Sequence, residues 1–336
     1  MNIQLLQTWY LENHRKLPFR ETKNPYHIWV SEVMLQQTQV ETVIPYFIKF
    51  IAIYPTVCDL AHAEEEHLLK LVEGLGYYRR FRLMHQAAKI IDHIYQGRFP
   101  NTYDEIKALP GIGEYTAGAI MSIAYNKPYS ALDGNVIRVI SRYMGDDRDM
   151  RQQKNRNTLN DINQSWIEDA TPEIYTQAIM ELGATVCKPK NPRCGMCPIQ
   201  EHCVAYQQNR QDELPFLSKL NGPTSHHYVT LIIEDDDHYY LRKRDEELLK
   251  GMYEYPQFDV ESIHHLETLL QEQGVELIIE EHYHREKHIF SHQVWHMEIH
   301  HARLLKGKSP HWISISKNQI NEVPMATAHR KINIKR

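Results

Sequence analysis

Long apolar runs are missing from this chain of 336 residues, so nothing in it reads as a membrane span, and the opening MNIQLLQTWY carries no secretory apolar core. A soluble, cytoplasmic protein is expected. An excess of positive charge is missing as well: 38 Lys and Arg stand against 43 Asp and Glu, a net charge of −5 with histidine neutral. The chain therefore offers no general attraction to a polyanion, although local basic patches and backbone amides could still hold one. Cysteine is scarce, with five in all. A disulfide framework has little room, because a chain of this length can bury a core without staples and shows no export signal.

Four of the five cysteines stand together, Cys187, Cys194, Cys197 and Cys203, with six, two and five residues between them. Metal-ligating thiolates must converge on one centre from a short stretch of backbone. Close, uneven spacing among the turn residues Pro189, Pro192, Gly195 and Pro198 permits that. Zinc is the default for four thiolates, but zinc sites usually use two paired knuckles, and only one C-x2-C pair occurs here. One four-iron, four-sulfur cluster suits the two lone thiolates better, with zinc as the alternative. Cys58, far away in a helical stretch, reads as a small buried apolar residue.

The pattern of apolar residues changes near position 215. Before it they recur with helical spacing, as in Ile28, Val30, Val33, Met34 and Leu35, or Ile90, Ile91 and Ile94. After it, Tyr228–Ile233 reads as a strand, Asp235-Asp236-Asp237 as a turn and Tyr239–Leu241 as the returning strand. Ser262–Gln273 then reads as an amphipathic helix and Val294–Ile299 as a further strand. A multidomain fold is expected, all-α over 1–214, a linker over 215–221 and an α+β domain over 222–336.

Leu109-Pro110-Gly111-Ile112-Gly113 lies between two helical patterns. Gly111 and Gly113 allow a tight turn plugged by Ile112, with freed amides at the start of the next helix as an anion site; a plain helix–turn–helix link is the alternative. About 20 residues on comes Leu132-Asp133-Gly134-Asn135-Val136, a carboxylate just before a helix, near the small residues Ala117, Gly118 and Ala119. Together with the cysteines, these resemble the helix–hairpin–helix DNA glycosylase superfamily in its endonuclease III-like branch. Ser31–Val40, Gly74-Leu75-Gly76-Tyr77-Tyr78, Leu109–Gly118 and Leu132–Val136 narrow the resemblance to the MutY family of adenine DNA glycosylases, across nearly the whole chain.

That resemblance implies a monofunctional enzyme of base excision repair, acting on double-stranded DNA that contains adenine opposite 8-oxoguanine. A monomer associated with the nucleoid is expected. Breaking an N-glycosidic bond calls for an acid at the departing base and an anion beside the sugar. Glu32, in an apolar helical stretch, would have its pKa raised if it faced inward, and the resemblance makes it the acid. Asp133 would be the anion, although as a residue it also reads as a helix cap. Asn135 would orient water or sugar. At Tyr115, strand-cutting relatives carry a lysine that forms a Schiff base; a phenol cannot, so Tyr115 is expected to hydrogen-bond around Glu32.

The adenine must leave the duplex to meet a buried acid. Gln37 and Tyr77 match the wedge residues on the side of the opposite base, while Arg20 and Gln177 match positions near the adenine edge. Lys188, Lys190, Arg79, Arg80 and Arg82 are candidate phosphate contacts or solvated charge. In the second domain, Lys250–Pro256 resembles the loop before a Nudix box, but the following helix lacks R-E-x-x-E-E, so a Nudix-like domain without phosphohydrolase activity is expected. The resemblance makes Phe290, Ser291 and His292 readers of 8-oxoguanine. Fourteen of the 21 histidines follow residue 215, and no repeated close spacing makes a metal site of them. The competing readings are an endonuclease III-like lyase, opposed by Tyr115, and a non-catalytic iron–sulfur DNA-binding module, opposed by the pair Glu32 and Asp133.

Overall fold

The structure is a computed structural model describing residues 1–260, 263–307 and 309–333. Its contacts divide the chain into two compact units, Met1–His62 with Leu83–Lys219 and Ala63–Arg82 with Leu220–Arg336.

The first unit is helical. It contains α1 (Ile3–Asn13), α2 (Pro25–Leu35), α3 (Val40–Ile53) and α4 (Val57–Ala61). After α5 (Glu65–Leu71), which belongs to the second unit, come α6 (Arg79–Ile94), which joins the first unit from Leu83 on, α7 (Tyr103–Lys107), α8 (Glu114–Ile123), α9 (Gly134–Met144), α10 (Gln153–Glu168), α11 (Pro172–Thr185) and α12 (Val204–Gln207). None of the described helices is long and apolar enough to cross a membrane. Helix α11 packs on α1, α8 and α9, while α2 packs on α3 and α8. The core of this unit is filled by large side chains with almost no exposure, among them Trp29, Phe50 and Tyr175; burying a side chain such as Phe50 is worth roughly 1.5–3 kcal/mol. The hairpin between α7 and α8 turns at Gly111, whose φ of 76° an L side chain would resist, and Ile112 is buried between the two helices.

The second unit is built on one sheet. Its strands are β1 (Thr224–Glu234), β2 (His238–Lys243), β3 (Tyr253–Glu254), β4 (Gln257–Phe258), β5 (Glu276–Ile289), β6 (Gln293–Lys306) and β7 (Trp312–Ser316). They run in the order β3-β2-β1-β6-β5, with β4 on β1 and β7 on β2. The expected hairpin is β1–β2, paired Ile233 to Tyr240, and Val294–Ile299 lies within β6. Strand β1 pairs with β6 in parallel, from Thr224 against Gln293 to Glu234 against Arg303. Alternation along β1 sends Val229, Leu231 and Ile233 to one core, closed by Leu266 and Leu270 of α13 (Ile263–Glu272). It sends Ile232 to the other, closed by Ala328 and Ile332 of α14 (Thr327–Asn333). Ser262, where the sequence starts that first helix, lies outside the described residues.

The contacts draw one boundary that composition does not. Ala63–Arg82 lies inside the all-α stretch by pattern but joins the strand-rich unit by contact. Leu68, Leu69 and Leu71 of α5 are buried, Lys243 Nζ reaches Glu66 at 2.8 Å, and Arg330 Nε reaches Glu73 at 2.7 Å. Helical periodicity reports that a face is buried, not which core receives it.

Candidate active site

Glu32 reaches the interior because α2 is apolar on every side. Asn24 caps the helix by accepting from the Tyr26 amide at 2.9 Å, Pro25 occupies the first turn, and Ile28, Trp29, Val30, Val33 and Met34 are buried around the acid. Glu32 itself is 1% exposed. The Tyr115 hydroxyl donates to its Oε2 and Arg20 Nη1 stands 3.5 Å from Oε1, yet Oε1 has no hydrogen-bond partner. Burial pushes the carboxyl pKa above its ordinary value; Arg20 and Tyr115 pull back, and the charge of Asp133 adds to the rise. Burial and the neighbouring Glu32 hold the Tyr115 hydroxyl well above the usual phenol range, so it remains a donor.

Asp133 caps α9. Its Oδ1 accepts from the Val136 amide at 2.7 Å and its Oδ2 from Asn135 Nδ2 at 2.8 Å. Burial raises its pKa, opposed by the Val136 amide, then by Asn135 and Arg138. The loop that delivers Asp133 lies against α8 at Gly118, where a Cβ would stand 1.9 Å from the Ser130 carbonyl oxygen. Gly118 is thus a packing requirement.

One cavity of about 650 Å³ is lined by Glu32, Tyr115, Asp133 and Asn135 together with Arg20, Gln37 and Gln177. Three further lining residues had drawn no attention in the sequence. Tyr10 donates to Gln177 Oε1 at 3.1 Å, and Arg15 grips Glu181 through Nε at 2.7 Å and Nη2 at 3.0 Å. Their side chains come from α1, α11 and the connection after α1, which only the packing of α1 on α11 brings together. The other candidates lie elsewhere. Gly111 and Gly113 are exposed at the hairpin. In the second unit the Tyr77 hydroxyl meets the Ser291 hydroxyl, Phe290 packs on Trp295 with centroids 4.8 Å apart, and His292 is exposed.

The basic candidates divide. Lys190 is exposed, and Arg79 is exposed while paired with Glu247 at 3.0 Å. Lys188 is half-buried, and Arg82 is mostly buried and 3.7 Å from Glu65. Arg80 must be corrected: it is buried, donates to the Leu75 carbonyl at 3.2 Å and lies over the Phe81 ring, so it is no phosphate contact. Burial lowers its pKa to about 10. Cys58, expected buried, is half-buried.

Cys187, Cys194, Cys197 and Cys203 are free thiols lining a space of about 30 Å³. Among the described residues no three His, Cys, Asp or Glu side chains are placed to hold a single metal ion. Four soft donors ring a small space, and Arg142 Nη1 donates to Cys187 Sγ at 3.4 Å, which fits an iron–sulfur cluster. Burial pushes the Cys197 thiol up to about 12 and raises Cys203, so ionising these two calls for a bound cationic centre. Arg142, 2% exposed, also ties down the loop through the carbonyls of Lys188, Pro189 and Leu214 at 2.7, 3.1 and 2.8 Å.

One turn earlier on α9, Arg138 donates to Cys187 O at 2.7 Å and to Asn135 Oδ1 and Gly183 O at 2.8 Å each. A chain of hydrogen bonds thus runs from the cysteine loop through Arg138 and Asn135 to Asp133. The available signal was two arginines four apart in an otherwise apolar helical stripe, since buried arginines require partners.

Residues 30–166 match the model of the HhH-GPD superfamily of base excision DNA repair proteins, residues 228–335 that of the NUDIX domain, and residues 187–203 that of the iron-sulfur binding domain of endonuclease III. The chain is 35% identical over 257 residues to an adenine DNA glycosylase of Buchnera aphidicola subsp. Acyrthosiphon pisum, covering 76% of this chain and 73% of that one. It is 42% identical over 212 residues to the adenine DNA glycosylase of Buchnera aphidicola subsp. Baizongia pistaciae, 62% of this chain and 59% of that one, so less than two thirds of this relative is spanned. Among solved structures, a thermostable thymine-DNA glycosylase superposes with a TM-score of 0.55 at 25% identity, over 61% of this chain and 95% of that one.

Proposed function

The chain belongs to the adenine DNA glycosylase family, and from that premise we propose that it removes adenine paired with 8-oxoguanine from duplex DNA by hydrolysis, leaving an abasic site. One observation carries the reading: Glu32 is wholly buried, its pKa is raised, and its Oε1, which faces Arg20 at 3.5 Å, accepts no hydrogen bond in a cavity it shares with Asp133.

Because Tyr115 donates to Oε2, the carboxyl proton belongs on Oε1, the oxygen left for the departing base. Protonating the base as the bond breaks removes the negative charge that would otherwise build on it. Positive charge then grows on the sugar, and the Asp133 carboxylate is the anion that stabilises it. Two bonds hold that carboxylate, one from the Val136 amide and one from Asn135, and Arg138 holds Asn135. Asp133 therefore needs no rearrangement as charge develops. With Tyr at position 115 there is no amine to form an imine, which supports base removal without strand cleavage.

Flipping adenine out of the stack would supply the base to the cavity that Arg20, Gln37 and Gln177 line; Arg20 and Gln177 would then offer polar contacts to its edge, and the family resemblance gives Gln37 the side of the opposite base. The amides of the Gly111–Gly113 hairpin are a phosphate site that needs no net positive charge. In the second unit Tyr77, Phe290, Ser291 and His292 read the opposite base. Cys187, Cys194, Cys197 and Cys203 would hold one four-iron, four-sulfur cluster, which would cross-link the loop that Arg138 and Arg142 bind.

The test is a single-turnover assay on duplexes with adenine opposite 8-oxoguanine and opposite guanine, read before and after alkali. Wild type should leave the strand intact until alkali and favour the 8-oxoguanine duplex. Glu32→Gln should bind DNA but lose about 10²–10⁴ in rate, the usual worth of general acid catalysis. Near-normal adenine release by Glu32→Gln would remove the proposal's basis, and cleavage without alkali would point to a lyase.

A further inference from the structure

The second unit fastens Ala63–Arg82 through two acids, and one of them stands four residues before Tyr77. Glu73 is 16% exposed. Its Oε1 accepts from Arg330 Nε at 2.7 Å, and its Oε2 accepts from Arg330 Nη2 at 3.2 Å, Lys70 Nζ at 2.7 Å and the Met325 amide at 3.4 Å. Arg330 also donates to the carbonyls of Ile320 at 2.9 Å and Val323 at 2.8 Å, so the guanidinium fork is locked from behind. The second acid, Glu66, accepts from Lys243 at 2.8 Å and from the Tyr253 hydroxyl at 3.2 Å.

Between Glu73 and Tyr78 a side chain closes the loop, with the Gly74 amide donating to the Tyr78 hydroxyl at 3.0 Å. Tyr77 stands out at the top of this loop. It is 46% exposed and has a φ of 49°, a conformation that costs a non-glycine residue energy and persists only when its surroundings impose it. Its hydroxyl is bonded to Ser291, next to Phe290 and His292. A buried ion pair is a weak source of net stability, because desolvation cancels much of the attraction. A forked pair braced by carbonyls does give direction, and direction is what an exposed, strained aromatic needs.

We propose that Glu73 and Arg330 are specificity-determining positioning residues, which hold Tyr77 beside Ser291 so that wedge and reader meet the base opposite adenine as one rigid surface. This rests on the reading that Tyr77 and Phe290–His292 contact that base. It also means that deleting residues 222–336 would remove the reader and release the wedge at once.

The test uses the full chain and the ratio of single-turnover rates for adenine opposite 8-oxoguanine and opposite guanine, in wild type, Glu73→Ala, Tyr77→Ala and the double variant. Glu73→Ala should lower the ratio about tenfold, the value of one lost base-edge contact, with the loss falling mainly on the 8-oxoguanine duplex. The double variant should be no worse than Tyr77→Ala alone, because Glu73 acts through Tyr77. Glu73→Gln, which keeps one acceptor for Arg330, should lie between wild type and Glu73→Ala, and it carries the test if the alanine variant does not fold. Equal slowing on both duplexes, or full additivity in the double variant, overturns the proposal. An unchanged ratio in Glu73→Ala beside a lowered one in Tyr77→Ala overturns the proposal alone. An unchanged ratio in Tyr77→Ala overturns the reading beneath it as well.

Discussion

Replacing Tyr115 by Phe removes one hydroxyl and leaves Glu32 Oε2 buried without the donor that now serves it. A hydrogen bond to a charged group contributes about 1.5–3 kcal/mol, so adenine release should slow by roughly 10- to 150-fold at neutral pH if that bond holds Oε1 in place for proton transfer. The direction of the pH effect follows from the causes of the Glu32 shift. Burial raises its pKa, and Arg20 and Tyr115 oppose the rise, so losing Tyr115 must raise it further. The alkaline limb of the single-turnover profile, where Glu32 gives up its proton, should therefore move to higher pH. Stability should follow the same sign. A carboxyl with a raised folded pKa supports the fold below its unfolded pKa and loses that support as pH rises through the folded value. The variant's deficit should thus be small in acid and grow to about 1–3 kcal/mol above the Glu32 pKa, measured by urea titration. An alkaline limb that moves downward, or a deficit that is largest in acid, would refute the assigned geometry.

Cys197→Ser should lower the iron bound per chain and the midpoint of thermal unfolding, measured by metal analysis and calorimetry; full iron content with unchanged melting would contradict a cluster held by all four cysteines. Glu254→Gln should cost about 3–5 kcal/mol, because the carboxylate is 0% exposed and binds Arg242 and Arg244 at 2.5 Å each. Burial works to raise the Glu254 pKa, but His329, Arg244 and Arg242 together bring it down to about 2. Its stabilisation is thus complete above the unfolded carboxylate pKa and fades as pH falls toward about 2, and the variant's acid transition should be correspondingly flatter.

The parts legible in the chain were those whose chemistry is local. Cys187 to Cys203 lie close in sequence, so a short loop must bring them together whatever surrounds it. Gly111 had to turn, since the hairpin leaves no other residue free at φ 76°. Asp133 could be read as a cap because an N-cap is defined by amides two or three residues on, and Val136 is its donor. The β1–β2 hairpin followed from a strand, three aspartates and a returning strand, all within one local span.

What the sequence by itself determined is therefore the inventory: two kinds of fold, four convergent thiols, a tight hairpin and an acid in an apolar helix. Packing decided which of these meet. The surroundings of Glu32 depend on Tyr115, which donates to Oε2, and Arg20, which faces Oε1, arriving from two other elements. Arg80 and Arg82 are two residues apart on one helix and look alike as letters, but Arg80 is buried over Phe81 while Arg82 faces Glu65. Arg138 joins Asp133 to the cysteine loop only because α9 and α11 lie side by side. The allegiance of Ala63–Arg82 was invisible for the same reason. A helix records in its sequence that one face avoids water, whereas the unit it joins is chosen by the folded chain as a whole: Arg330, which holds Glu73 just beyond α5, lies some 250 residues away.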